Sequence, residues 1–475
     1  MKRSSGVLMH LSSLFGKYSS GSFGAEAKYF IDFLAESGFS YWQVLPFCMP
    51  DEFNSPYKSY SSFGANPWFI DLPTLYEKGL LSYEELRKAE QASPYAVEYS
   101  RLEERISLLY LAASRIRDRS EIERGLHEYP ELSRAALFLA LRRANGGAPW
   151  QEWTVDTPDS EVLFFEKFIQ YEFLSEWRAI KEYANSKGIK IIGDVPIYVS
   201  LESADVYFHR EEFLLDSEGY PTEVAGVPPD YFSKDGQLWG NPLYDYRKMK
   251  ENGYSWWRTR IGYMFELFDG VRLDHFRGFE AYWSIPAGAV SASLGKWVKG
   301  PGRELIRAIR DAACGGLVIA EDLGDITPGV EALVKYSGFP GMRVFQFAFL
   351  GDSNSTHLPY KYPENAVAYT GTHDNNTLLG YIWEMPSDLR RLVFDYIGQE
   401  GEDFSAGVVG IIRTVLSSHS GLAVIPIQDL LGYGSDTRMN TPGRAEGNWT
   451  YRLTKDQLDK IDRLALKKMN LLYGR

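Results

Sequence analysis

Residues Lys190–Val199 read KIIGDVPIYV. This is a nearly unbroken apolar run, and such a run suits a strand buried on both faces, as in a parallel sheet. The residues before it follow another period. Ile169, Phe173, Trp177, Ile180 and Ala184 recur at helical spacing, and Gly188 ends that stripe just ahead of the run. Helix, glycine and apolar strand make the returning half of a right-handed βαβ unit. The same order appears near the start of the chain. Gly6–Ser13 (GVLMHLSS) precedes a stripe of Ala27, Phe30, Ile31 and Leu34, then Gly38, then Tyr41–Phe47 (YWQVLPF).

Five more apolar runs follow: Asp269–Phe276 (DGVRLDHF), Leu317–Gly324 (LVIAEDLG), Met342–Phe349 (MRVFQFAF), Ala366–Asp374 (AVAYTGTHD) and Leu422–Leu431 (LAVIPIQDLL). Eight strands of this kind predict a closed (β/α)8 barrel of the α/β class. No GxGxxG follows the first strand, which argues against a dinucleotide-binding oxidoreductase. A plain barrel needs roughly 250 residues, whereas this chain has 475. The excess falls in uneven gaps. The reading is therefore one catalytic barrel over 1–475 with three additions: a loop subdomain over 48–75 near the active site, a helical insertion over 80–160 striped by Leu102, Ile106 and Leu109, and a lid or substrate-binding insertion over 200–265. Connections that long inside a compact domain are usually functional.

Composition narrows the partners. The apolar share of 44% and charged share of 24% are ordinary for a globular chain. The net charge of −12 disfavours nucleic acid. No stretch approaches the ~18 apolar residues of a membrane span, and the basic start, with a short apolar run broken by His10, makes a poor signal peptide. Cys48 and Cys314 can form neither a disulfide framework nor a recognisable metal site. The expectation is a soluble, cytoplasmic protein without metal or cofactor. Aromatic residues reach 15%, which suits pyranose stacking, but composition alone favours the plainer reading of a large aromatic core.

Barrel chemistry sits at the carboxyl ends of the strands. Those ends carry Asp194; Arg272, Asp274 and His275; Glu321 and Asp322; His373 and Asp374; and Gln428 and Asp429. Any one carboxylate there could simply cap the next helix, as Asp322 and Asp374 could. Carboxylates at five strand ends are costly unless function or counter-charge offsets them. Arg272 lies two residues before Asp274, so strand alternation puts both on the barrel-facing side. Glycosidic cleavage wants this set: a carboxylate to attack the anomeric carbon, an acid to protonate the leaving oxygen, and further groups to stabilise an oxocarbenium-like transition state.

At these residues the sequence resembles the 4-α-glucanotransferases (amylomaltases or disproportionating enzymes, glycoside hydrolase family 77) of the α-amylase superfamily. The motifs run in order from first strand to last: YWQVLP, SPY with ANPWFIDL, GDVPIYV, AGVPPDYFSKDGQLWGNPLYDY, VRLDHFRGFEAYW, AEDLGDITPGVEAL, GMRVFQFAF, YTGTHDNNT, and RMNTPGR with GNW. The resemblance implies a retaining transfer of α-1,4-glucan segments between maltooligosaccharides drawn from starch or glycogen, with no cofactor and no C-terminal β-sandwich. It implies Asp274 as nucleophile, Glu321 as general acid/base and Asp374 as transition-state stabiliser. Arg272, His275, His373 and Asp194 would line the same subsite. Tyr57 would stack on the sugar, with Ser55 beside it. Asp230, Gln237, Trp239 and Asn241, with Pro228 and Pro229, would fold over the cleft, and Asn440 and Trp449 would serve acceptor positions. The chain departs from the family in places. Phe15 replaces a Pro, MPDEFN replaces the loop PTGYGD, Glu52 stands where the family has a Tyr linked to a second glucan site, and Asn376 replaces an Asp. Two alternatives use the same barrel: an α-1,4-glucan hydrolase, and a non-catalytic glucan-binding protein.

Overall fold

A computed structural model describes residues 2–50, 53–229, 235–351, 354–444 and 446–475. Its twelve strands are β1 (Ser4–Leu8), β2 (Tyr41–Gln43), β3 (Lys190–Val195), β4 (Glu223–Val227), β5 (Gln237–Pro242), β6 (Gly270–Leu273), β7 (Ala281–Pro286), β8 (Lys296–Lys299), β9 (Leu317–Ala320), β10 (Gly341–Val344), β11 (Ala366–Tyr369) and β12 (Leu422–Pro426). Eight of them close a parallel barrel in the order β1-β12-β11-β10-β9-β6-β3-β2. The eight are the eight apolar runs.

Each strand is shorter than its run. β3 stops at Val195, before Pro196, which has no N–H for a ladder. Ile197, Tyr198 and Val199 stay buried, but in the rim beyond the strand. Apolar residues mark burial, and burial continues where pairing ends.

The outer helices form where the stripes fall. Ala27, Phe30, Ile31 and Leu34 are buried on helix Ala25–Glu36, and Gly38 follows it at φ 76°. Ile169, Phe173, Trp177, Ile180 and Ala184 are buried on helix Ser160–Ser186, whose first free amides donate to the Asp159 carboxylate. Helices Leu102–Ser114, Ser120–His127 and Pro130–Ala144 pack against this long helix.

The segment read as a lid contains regular structure that no apolar run marked. β4 and β5 lie in it and join β7 and β8 in an antiparallel sheet of order β5-β4-β7-β8. Half of that sheet comes from after β6, beyond the 200–265 range. The pattern is weak for a physical reason. β4 (EVAGV) has a glycine in its interior, and the edge strand β8 (KWVK) starts and ends in lysine. After β12 the described residues form helices, among them Lys455–Asp459 and Arg463–Leu472, and loops. No described helix is long and apolar enough to cross a membrane.

Candidate active site

The barrel register carries on past the last paired residues of β6 and β9. Arg272 pairs with Ile319 and Leu273 with Ala320. Glu321 N then donates to Leu273 O (3.1 Å), and Phe276 N to Glu321 O (3.1 Å). On its other side, Asp274 N donates to Val195 O of β3 (3.0 Å). Asp274 and Glu321 are thus held on neighbouring strand ends by backbone alone. Between them, His275 adopts a left-handed conformation (φ 49°, ψ 49°) that costs a non-glycine residue energy. That twist aims His275 N at Glu321 Oε2, 2.6 Å away, while Leu323 N donates to Oε1 at 3.1 Å.

Burial pushes the Glu321 carboxyl up to about 8. Arg272 opposes the rise, Asp274 adds to it, and the His275 amide opposes it again. A carboxylic acid that keeps its proton at neutral pH is what a general acid requires.

Arg272 is the electrostatic centre. Its side chain is buried, and Nη1 donates to both Asp194 oxygens (2.8 and 2.7 Å) while Nη2 lies 2.9 Å from Asp274 Oδ1. Burial alone would lower its pKa, but Asp194 and Asp274 outweigh that and raise it, so the guanidinium is a fixed cation. Tyr57 donates its hydroxyl to Asp194 Oδ2 (2.7 Å), and burial keeps the phenol protonated. Its ring stacks on His373 with centroids 5.0 Å apart and planes 16° apart. The Trp449 ring lies 6.0 Å from both. His373 Nε2 is 3.3 Å from Asp374 Oδ1, which also accepts Asn440 Nδ2 at 2.6 Å. The side chains of Asp274 and Asp374 remain 28% and 44% exposed, so both carboxyls can reach a ligand from solvent.

β5 supplies one wall. Trp239 meets the His275 ring edge to face at 5.0 Å, and its indole N–H donates to Gln237 Oε1 (3.1 Å). Asn241 donates to Val199 O (2.9 Å), tying this strand to the rim beyond β3. Burial pushes the His275 imidazole down to about 4 even though Asp274 pulls the other way, so it is neutral at working pH. Ser55 Oγ accepts from Tyr57 N at 3.4 Å and shapes that turn. Asp230 lies outside the described residues. No group of three or more His, Cys, Asp or Glu among the described residues could hold a metal ion.

Two carboxylates weighed as helix caps turn out to do other work. The helices that follow are capped by Thr327 and Thr377. Asp322 instead accepts Met342 N (2.6 Å) and Arg343 Nη1 (3.1 Å), joining β9 to β10. Asp374 faces the opening. Sequence reasoning missed Arg438, whose Nη2 donates to Asp374 O at 2.6 Å. It lies inside the RMNTPGR motif, where nothing local separates it from a surface arginine.

A closed β/α barrel whose rim pairs a protonated carboxylic acid with an arginine-bound carboxylate on the next strand is a glycosidase-type barrel. Comparison with known proteins gives the family: a model described as 4-alpha-glucanotransferase matches residues 9–458, and the chain belongs to that family. It is 42% identical to a 4-alpha-glucanotransferase of Synechocystis, covering 100% of this chain and 98% of that one. A 4-alpha-glucanotransferase of Thermus thermophilus is 41% identical over 99% of this chain and 98% of its own. Among solved structures, an amylomaltase from Streptococcus agalactiae in complex with acarbose superposes with a TM-score of 0.95 at 36% identity, over 100% of both chains.

Proposed function

We propose that this enzyme moves α-1,4-glucan segments between maltooligosaccharides derived from starch or glycogen, with retention of anomeric configuration, through a glucosyl–Asp274 intermediate. The observation that carries the reading is Glu321, protonated to about pH 8, on the strand end beside an Asp274 carboxylate that touches Arg272. In the first half-reaction Glu321 gives its proton to the leaving 4-oxygen while an Asp274 oxygen bonds to C1. Asp374, oriented by Asn440 and flanked by His373, grips sugar hydroxyls as positive charge develops at the ring. The C4–OH of an acceptor chain then gives its proton to Glu321, and its oxygen displaces Asp274. Trp239 and Gln237 of β5 screen the intermediate from water, which favours the sugar acceptor.

The test is maltotriose alone, followed by chromatography of products over time. Glucose with a ladder of longer maltodextrins supports transfer; glucose and maltose alone would mean a hydrolase. Asp274→Asn should lower turnover by on the order of 10⁴ or more. Wild-type turnover in that variant would sink the nucleophile assignment.

A further inference from the structure

The residues that grip the sugar at Asp374 sit on a loop, and a loop holds a geometry only as well as its ends are held. The loop runs from the end of β11 to helix Leu378–Glu384 and carries His373 and Asp374. One buried carboxylate reaches both ends. Asp429, on helix Ile427–Leu431 after β12, accepts the Thr370 hydroxyl on Oδ2 (2.6 Å) and Leu378 N on Oδ1 (2.7 Å). Asp429 is 2% exposed, and Thr370 and Leu378 are fully buried. Leu378 N is one of the free donors of a helix start, and Thr377, the cap of that helix, spends its own hydroxyl on Gly380 N. Asp429 therefore satisfies a donor that the cap leaves over, and the same side chain pins the strand end.

We propose that Asp429 is a positioning residue for the reaction: a two-oxygen clamp that closes the Thr370–Leu378 loop and fixes where Asp374 and His373 stand. The inference rests on the catalytic role proposed for Asp374. The clamp explains why a carboxylate is present at a strand end that faces the neighbouring loop rather than the cleft. Other contacts complete the frame. Gln346 Nε2, from the rim after β10, donates to Asn376 O at 2.6 Å, and Arg438 holds Asp374 O. Both grip the middle of the loop, and only Asp429 spans its ends among the described residues.

The experiment compares Asp429→Ala, Asp429→Asn and Thr370→Val with wild type, measuring kcat and KM on maltotriose together with thermal midpoints, and uses Asp374→Asn as reference. Asp429→Ala should lower kcat about 10- to 100-fold and leave KM within about threefold. Asp429→Asn should recover most of the rate, because its amide oxygen still accepts Leu378 N and its NH₂ can donate to the Thr370 hydroxyl. Thr370→Val cuts one of the two bonds at nearly constant volume and should fall between them, with a folded protein to measure. Three outcomes overturn the clamp. One is full kcat in both Asp429→Ala and Thr370→Val. Another is an Asp429→Asn variant as slow as Asp429→Ala. The third is a KM that rises in step with the fall in kcat. An active Asp374→Asn would instead refute the role of Asp374, a failure readable independently of the Asp429 series.

Discussion

Glu321 holds its proton because it is buried beside Asp274, and this gives the pH profile a direction. Below about pH 8 the acid is available; as pH rises through that value it is lost. The kcat/KM for maltotriose should therefore fall about tenfold per pH unit above 8. A glucosyl fluoride donor, whose leaving group needs no proton, should show no such limb in its first step. An identical alkaline limb with both donors would remove Glu321 from the acid role. Arg272 and Asp274 could be paired from the sequence, since positions two apart share a strand face. Asp322 and Asp374 could not be told apart there by local pattern, because each follows an apolar run and precedes a helix, and only the third dimension gives Asp322 a partner on β10. Asn376, one of the departures from the family pattern, has a local cause. Its Nδ2 donates to Glu384 Oε1 at 2.8 Å and contacts Ser435 Oγ at 2.9 Å. Asn376→Asp would set two carboxylates against each other and cost about 1 kcal/mol at pH 7. The loss should shrink in high salt, which screens exposed charges from each other. A melting temperature equal to wild type at low salt would refute this.

The barrel strands were legible because burial on both faces leaves an apolar run that no surface strand shares. The small sheet was not, because β4 and β5 each carry an interior glycine, β8 starts and ends in lysine, and the four strands lie on both sides of β6 in the chain. Within that sheet, β5 brings an aromatic side chain to the rim of β6. Trp239 is fixed at one end by Gln237 and lies against His275, so the strand and the rim of β6 form a single surface. Trp239→Ala would open that surface to water. The share of maltotriose that ends as hydrolysis products should rise several-fold while total donor cleavage falls less. A constant transfer-to-hydrolysis ratio would mean that the sheet does not screen the intermediate.

At the scale of the whole molecule the barrel separates chemistry from closure. The reactive groups crowd the carboxyl ends of the strands, whereas the seam between β1 and β12 is tied at the opposite end by residues from both ends of the chain. Arg475 donates to Ser4 O (2.8 Å), Leu416 O (2.7 Å) and Ser420 O (2.9 Å). Arg3 donates to Tyr473 O (2.7 Å), Ser418 O (2.7 Å) and Leu416 O (2.9 Å). Ser5 of β1 donates its hydroxyl to Asn470 Oδ1 (2.7 Å), and Asn470 Nδ2 donates to Ser37 O (3.0 Å), which ties the last helix to β1 and to the helix that follows β1. Charged donors to carbonyls are individually worth about 1.5–3 kcal/mol. The two guanidiniums also repel, since burial and the nearby Arg3 together bring the Arg475 pKa down to about 9. Removing one therefore relieves part of what it costs. Arg475→Ala should destabilise the enzyme by about 1–2 kcal/mol, read as a shorter half-life of activity at a temperature near the melting transition. At 25 °C its kcat on maltotriose should match wild type, because nothing in the seam touches the rim. A slower enzyme with unchanged heat resistance would mean that strain at the bottom of the barrel reaches the carboxylates at the top, and the division between the two ends would have to be abandoned.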